Sequence, residues 1–137
     1  MDSFCLDLKA YDGTDHKWLT GCFNRNILKL PGEIVKRGFV LEVLSLYIPN
    51  LVETPQLKKM AQLIFDVDPE IPYTLLAFFP EYQMKRYKSP KASEMIEAYM
   101  GVRSVGLRNV RLGNTGVFAS SEQDYDLLKK KVAAGDY

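Results

Sequence analysis

Four stretches gather apolar residues in the manner of buried strands: Phe4–Lys9, Phe39–Ile48, Tyr73–Phe79 and Asn109–Leu112. The second and third are nearly continuous apolar runs, the pattern of strands covered on both faces, as in parallel sheets. Helical signals follow each strand. Asp12–Leu19 predicts a short helix, and Asn26–Arg37 places Ile27, Leu28, Ile34 and Val35 at helical spacings before Gly38. Pro31-Gly32 interrupts that stretch and predicts a kink or a restart. Thr54-Pro55 reads as an N-cap followed by a first-position proline. Leu57, Met60, Ala61 and Ile64 form the apolar stripe of the helix it opens. Ser89-Pro90 repeats the start signal, with Ala92, Met95, Ile96, Tyr99 and Met100 as the stripe and Gly106 as the stop. Ser120 and Gln123 have capping-box spacing and predict a last helix through about Ala134, stopped by Gly135. The run Lys129-Lys130-Lys131 suits the negative end of that helix dipole.

Strand starts near residues 4, 39, 73 and 109 give spacings of 35, 34 and 36. An even strand–helix rhythm favours right-handed parallel units. A complete eight-unit barrel takes about 250 residues, or roughly 31 per unit. The pattern therefore predicts an α/β chain of about four parallel βα units, half of a (β/α) barrel, with two open sheet edges.

A length of 137 residues fits one domain, 1–137. The net charge of +1 argues against a nucleic-acid partner. No apolar run reaches the 18 or more residues that a bilayer span needs, and the first residues carry no secretory pattern. A cytoplasmic protein with no membrane partner is the expectation. The two cysteines, Cys5 and Cys22, are too few for a disulfide framework or a four-thiolate metal site. The single histidine, His16, lies on a charged segment and is expected at the surface.

Period-two alternation puts Cys5, Asp7 and Lys9 on one face of the first strand. Lys9 falls at its C-terminal end, where barrels and open α/β sheets place their sites. An Asp7–Lys9 ion pair is the plainest reading, because charges on a buried strand are costly unless paired. Glu42 stands alone among apolar neighbours on the second strand and calls for a cation, with Lys9 and Arg111 as candidates. Pro49-Asn50 and Glu81 sit on loops at the same mouth, and the aromatics of Phe78-Phe79-Pro80-Glu81-Tyr82 suit core and rim. Gly113-Asn114 ends the fourth strand in a turn that allows close backbone approach. No Gly-rich phosphate loop is present.

Leu6-Asp7-Leu8-Lys9-Ala10-Tyr11, followed by His16-Lys17-Trp18-Leu19-Thr20-Gly21, resembles the "LDLKay…h…ltG" stretch of radical S-adenosylmethionine proteins. The group is that of the pyruvate formate-lyase activating enzymes and their relatives. Phe39–Asn50 resembles that group's next strand, Ile71–Met84 its "iPw…fFPdykm" segment, and Asn109–Asn114 its "yvylGN" strand. The match runs from about Asp2 to Phe118, in order. It departs from the pattern at Pro31-Gly32, and at Thr74 and Ala77, where the group often has His and Arg.

The resemblance implies the C-terminal half of a partial (β/α)₆ barrel. It also implies a [4Fe–4S] cluster, held by a CxxxCxxC motif in an N-terminal half, that reduces S-adenosylmethionine to a 5′-deoxyadenosyl radical. This sequence has no CxxxCxxC, so no cluster is expected in this chain alone, and S-adenosylmethionine binding is expected to be weak. Asp7 and Lys9 match positions beside the methionine end of the cofactor and its monovalent cation, and Gly113 and Asn114 match the final turn at the mouth. Together with Glu42 these are the candidate cofactor-binding residues; no catalytic residue and no metal ligand is assigned.

Three functions remain open from the sequence. The chain is the C-terminal part of a radical S-adenosylmethionine protein, inactive alone. Alternatively, it is a stand-alone, non-catalytic assembly module. The third option is a hydrolase or isomerase using Asp7, Lys9 and Glu42 at a barrel mouth. Uncovered edges and an uncovered sheet face predict a homo-oligomer or a companion chain in any case.

Overall fold

A computed structural model describes residues 2–81 and 84–137. Tyr82, counted above among the mouth aromatics, lies outside the described residues. Four strands, β1 (Ser3–Asp7), β2 (Val40–Tyr47), β3 (Tyr73–Ala77) and β4 (Val110–Gly113), form one sheet in the order β1-β2-β3-β4. Every pairing is parallel, with Cys5 beside Glu42, Leu44 beside Thr74 and Thr74 beside Arg111. The predicted four-unit half-barrel is what the chain builds.

Between and after the strands lie α1 (Gly13–Thr20), α2 (Leu30–Lys36), α3 (Thr54–Val67), α4 (Ala92–Val105), α5 (Thr115–Phe118) and α6 (Glu122–Lys131). Asp12 caps α1 by accepting from the Thr14 and Asp15 amides at 2.9 and 3.0 Å, and Gly21 closes it at φ 82°. Pro31 does not kink a longer helix. It falls in the first turn of α2, after a 3₁₀ turn at Ile27–Lys29, where a missing amide hydrogen costs nothing.

Other boundaries shift by a residue or two from their sequence signals. Glu53 rather than Thr54 is the N-cap of α3, and α4 starts at Ala92, two residues after the Ser89-Pro90 pair. Ser121 with Asp124, not Ser120 with Gln123, forms the capping box of α6, which ends at Lys131. At α6 the reason is local: Ser121 Oγ accepts from the Asp124 amide at 3.2 Å, a role for which the adjacent Ser120 competes, whereas Glu53 begins α3 without a side-chain capping bond.

The core lies between the sheet and the α3–α4 layer. Leu57, Met60, Ala61 and Ile64 of α3 and Met95, Ala98 and Val102 of α4 are fully buried against it. Leu41, Val43, Ser45 and Tyr47 on β2 and Tyr73, Leu75 and Ala77 on β3 face the same way. At that depth each large aliphatic side chain contributes roughly 1.5–3 kcal/mol.

The alternate residues of the sheet, among them Glu42, Leu44, Leu46, Thr74 and Leu76, are only partly covered or exposed. The expectation of strands covered on both faces is therefore corrected: helices cover one face, and the other is the inner wall of the half-barrel. One expected open edge is also corrected. The Leu112 amide of β4 donates to the Asp136 carbonyl of the C-terminal tail at 2.6 Å, whereas Ser3–Cys5 on the β1 edge are exposed.

Candidate functional site

The C-terminal ends of β1, β2 and β3 open into a cavity of about 520 Å³, a size suited to a small molecule. Its floor is Leu46, Ile48 and Phe78, from the inner face and ends of β2 and β3. Trp18 and Leu19 of α1 form one wall, Met84 another, and Lys9 supplies a charge. Above it, Trp18 meets Tyr87 edge to face at 5.7 Å, and the Arg86 guanidinium lies 5.6 and 5.2 Å from the two rings.

Asp7, the last residue of β1, forms an ion pair with Lys9, and both side chains are a little over one-third exposed. The ion pair takes Asp7 Oδ2. Its other oxygen, Oδ1, is buried and has no hydrogen-bond partner among the described residues. A buried carboxylate oxygen without a donor is unfavourable by roughly 1–3 kcal/mol or more. A ligand with an ammonium or N–H group would satisfy it.

The cavity depends on where α1 sits, and Gln56 of α3 sets that position. Its Oε1 accepts from the Tyr11 and Asp12 amides at 3.1 and 3.0 Å. Its Nε2 donates to Asp15 Oδ2 at 2.7 Å and to the Leu51 carbonyl at 3.0 Å. Asn24, buried, donates to the Ala10 and Tyr11 carbonyls and closes the same loop from the other side.

His16 is 1% exposed, which corrects the expectation of a surface histidine. Its Nδ1 lies 2.7 Å from the Cys22 carbonyl, a distance that requires the hydrogen on Nδ1, while Nε2 is buried with no hydrogen-bond partner among the described residues. The short α1 turns that face inward to meet the Gly21-Cys22 return, a tertiary outcome its charged neighbours conceal.

The five candidate cofactor residues do not converge. Asp7 and Lys9 stand together at the mouth. Gly113 and Asn114 also lie at the C-terminal end, but three strands away, about 14 Å at the usual spacing. Asn114 takes a left-handed conformation at φ 55° and donates from Nδ2 to the Ala77 carbonyl at 3.2 Å, tying the β4 turn to β3. A Cβ on Gly113 would stand 2.3 Å from Leu76 Cδ2, so this glycine serves the close fit of Leu76.

Glu42 lies beside Cys5 in register, near the start of β2, and shares a separate hollow with Arg111. Lys9 is four positions further along and pairs with Asp7, so a centre built from Asp7, Lys9 and Glu42 together does not form. Glu81 is exposed beyond β3. Sequence reasoning missed Trp18 and Met84 as cavity walls and Gln56 as the anchor of α1. The Trp18-Leu19 pair inside the family-like stretch was the available signal.

An iron–sulfur cluster does not fit these residues. Cys5 and Cys22 are both exposed and free, and among the described residues no three His, Cys, Asp or Glu side chains group as metal ligands. S-adenosylmethionine fits better, since its ammonium, carboxylate and adenine match the Asp7 oxygen, the Lys9 cation and an apolar aromatic wall. No helix among the described residues is long and apolar enough to cross a membrane.

No protein-family model matches the chain. It is 28% identical over 102 residues to a Methanocaldococcus jannaschii protein named "putative glycyl-radical enzyme activating enzyme". That alignment takes in 72% of this chain and 39% of the relative, so the chain spans about two fifths of the relative's length. Its fold is similar to the crystal structure of a domain of pyruvate-formate lyase-activating enzyme from Bacteroides vulgatus, with a TM-score of 0.68 at 20% identity. That likeness covers 82% of this chain and 68% of the other. The chain is thus similar to part of a protein named as an activating enzyme of glycyl-radical enzymes, and its four-stranded parallel sheet shares the fold of a domain of a pyruvate-formate lyase-activating enzyme.

Proposed function

We propose that this chain is the C-terminal part of an activating-enzyme-like radical S-adenosylmethionine barrel, holding one side of the cofactor site and inactive alone. The observation that carries the reading is the Asp7–Lys9 pair at the mouth: Lys9 lines a cavity of about 520 Å³, and Asp7 Oδ1 is buried with no hydrogen-bond partner among the described residues. Asp7 would accept from the cofactor's ammonium, and Lys9 would meet its carboxylate. Leu46, Phe78 and Trp18 would cover apolar surface and exclude water. S-adenosylmethionine supplies a hydrogen-abstracting radical only when a reduced cluster stands beside it, and Cys5 and Cys22 cannot hold one.

Calorimetric titration with S-adenosylmethionine tests the grip. Weak binding, reduced about tenfold by Asp7→Ala and by Lys9→Ala, is expected. Absence of heat at millimolar cofactor, with the protein folded, would refute it. Reconstitution with iron and sulfide should give no stoichiometric cluster, and a stable cluster would overturn the second half of the reading. The alternative of a non-catalytic assembly module is favoured by one observation, the uncovered inner face of the sheet.

A further inference from the structure

Away from the mouth, the inner face carries a second group of polar side chains. Glu42, Pro72, Thr74, Asn109 and Arg111 line a hollow of about 300 Å³ toward the N-terminal end of the sheet. Around it stand Val40, 47% exposed, and the partly covered Leu44 and Leu76. Parallel strands normally have both faces covered, so this mixed face calls for a partner. Ion pairs among the described residues join Lys9 to Asp7 and Arg108 to Glu70, which leaves Glu42 and Arg111 with opposite charges and no such pairing.

The register relates these two residues closely. Val43 pairs with Tyr73, which sets Glu42 level with Pro72, and Thr74 pairs with Arg111. Arg111 is therefore two strands over and two residues further toward the C-terminal end. Strands of a barrel-type sheet tilt by about 36° at spacings of about 4.8 Å, which moves a level layer about one residue along per strand. Over two strands the offset is two residues. Glu42 and Arg111 thus stand at one height about the barrel axis, as members of one layer from alternate strands.

We propose that a second copy of this chain covers this face, related by a two-fold axis parallel to the barrel axis, with Glu42 of each copy meeting Arg111 of the other. With the axis placed opposite β3, such a rotation preserves height and brings β2 of one copy across from β4 of its partner. Each face carries both members of the pair, the self-complementarity that an isologous contact needs. The layer then holds four side chains of alternating charge, surrounded by Val40, Leu44 and Leu76 from each copy. A net charge of +1 sets little repulsion against this association. Because the Asp136 tail occupies part of the β4 edge, the contact joins faces rather than extending the sheet there.

Equilibrium sedimentation tests the proposal, which does not rest on cofactor binding and stands or falls separately from it. The wild-type chain should be a dimer at tens of micromolar. Glu42→Arg and Arg111→Glu should each weaken the dimer about tenfold or more, and the double reversal should restore it. Thermal melts establish that each variant is folded. If a reversal does not fold, Glu42→Gln and Arg111→Gln take its place and should each weaken association. A wild-type monomer overturns the proposal. So does a dimer indifferent to the folded single variants, or a folded double reversal that fails to restore association.

Discussion

Tyr73 donates its phenolic hydrogen to Ser45 Oγ at 2.8 Å, and Ser45 donates in turn to the Leu8 carbonyl at 2.7 Å. This buried chain links β3, β2 and the end of β1 directly below the mouth. Ser45→Ala leaves the phenol hydrogen and the Leu8 carbonyl without these partners and should cost about 1–3 kcal/mol. Tyr73→Phe removes a donor but leaves the Ser45–Leu8 bond, and should cost about 1 kcal/mol from the lost hydrogen bond. Urea denaturation of both variants and of the double should show a combined loss smaller than the sum, since the pair shares one bond.

Gln56→Ala should release α1 from α3 while leaving the sheet intact. The four lost bonds make a local cost of about 1–3 kcal/mol reasonable after rehydration of exposed partners. Trp18, the only tryptophan, rides on α1 and reports the change. Its emission should shift to the red and its quenching by iodide should increase, with far-ultraviolet dichroism nearly unchanged. An unaltered Trp18 signal would show that α1 is held by other contacts.

Gly113→Ala should destabilise the chain by about 1–3 kcal/mol, because the new methyl would overlap Leu76 Cδ2. Leu76→Ala on its own should also destabilise, through lost packing. Combined, the two changes should cost less than their sum. Simple additivity in chemical denaturation would mean that the backbone moves aside.

Alkaline pH should unfold the chain sooner than its acidic side chains would suggest. Burial first, then the nearby Glu53 carboxylate, pushes the Tyr47 phenol up to about 12, and burial raises Tyr73 and Tyr99 as well. The folded state thus prefers neutral phenols. That contribution is complete below the ordinary value of about 10 and is lost as pH rises through about 12. Stability from urea melts should fall steeply over that interval, and less steeply in Tyr47→Phe. An unchanged slope would place the alkaline loss elsewhere.

Element by element, the sequence was informative wherever the physics is local. The stripe Leu57, Met60, Ala61 and Ile64 is buried as its spacing implies, since four residues at helical intervals can face only one way. Asp12 and Gly21 bound α1 through their own side chain and their own backbone freedom. The strand rhythm carried the parallel order, because each helix returns the chain to the same edge. Ser120 misled by one residue, as Ser121 next to it can serve the same amide.

What tertiary structure decided is the company each residue keeps. By itself, the sequence put Asp7 and Lys9 on one face at a strand end, and they do pair. It also named Lys9 and Arg111 as cations for Glu42; register sets Lys9 four positions away, whereas Arg111 lines the same hollow as Glu42. His16 is buried because α1 folds back on Cys22, and the cavity exists because Gln56 fixes α1 over the strand ends. Periodicity is a property of neighbours along the chain, whereas register, burial of a polar side chain and the walls of a cavity depend on contacts between separate segments, whose relative placement is fixed only when the core packs.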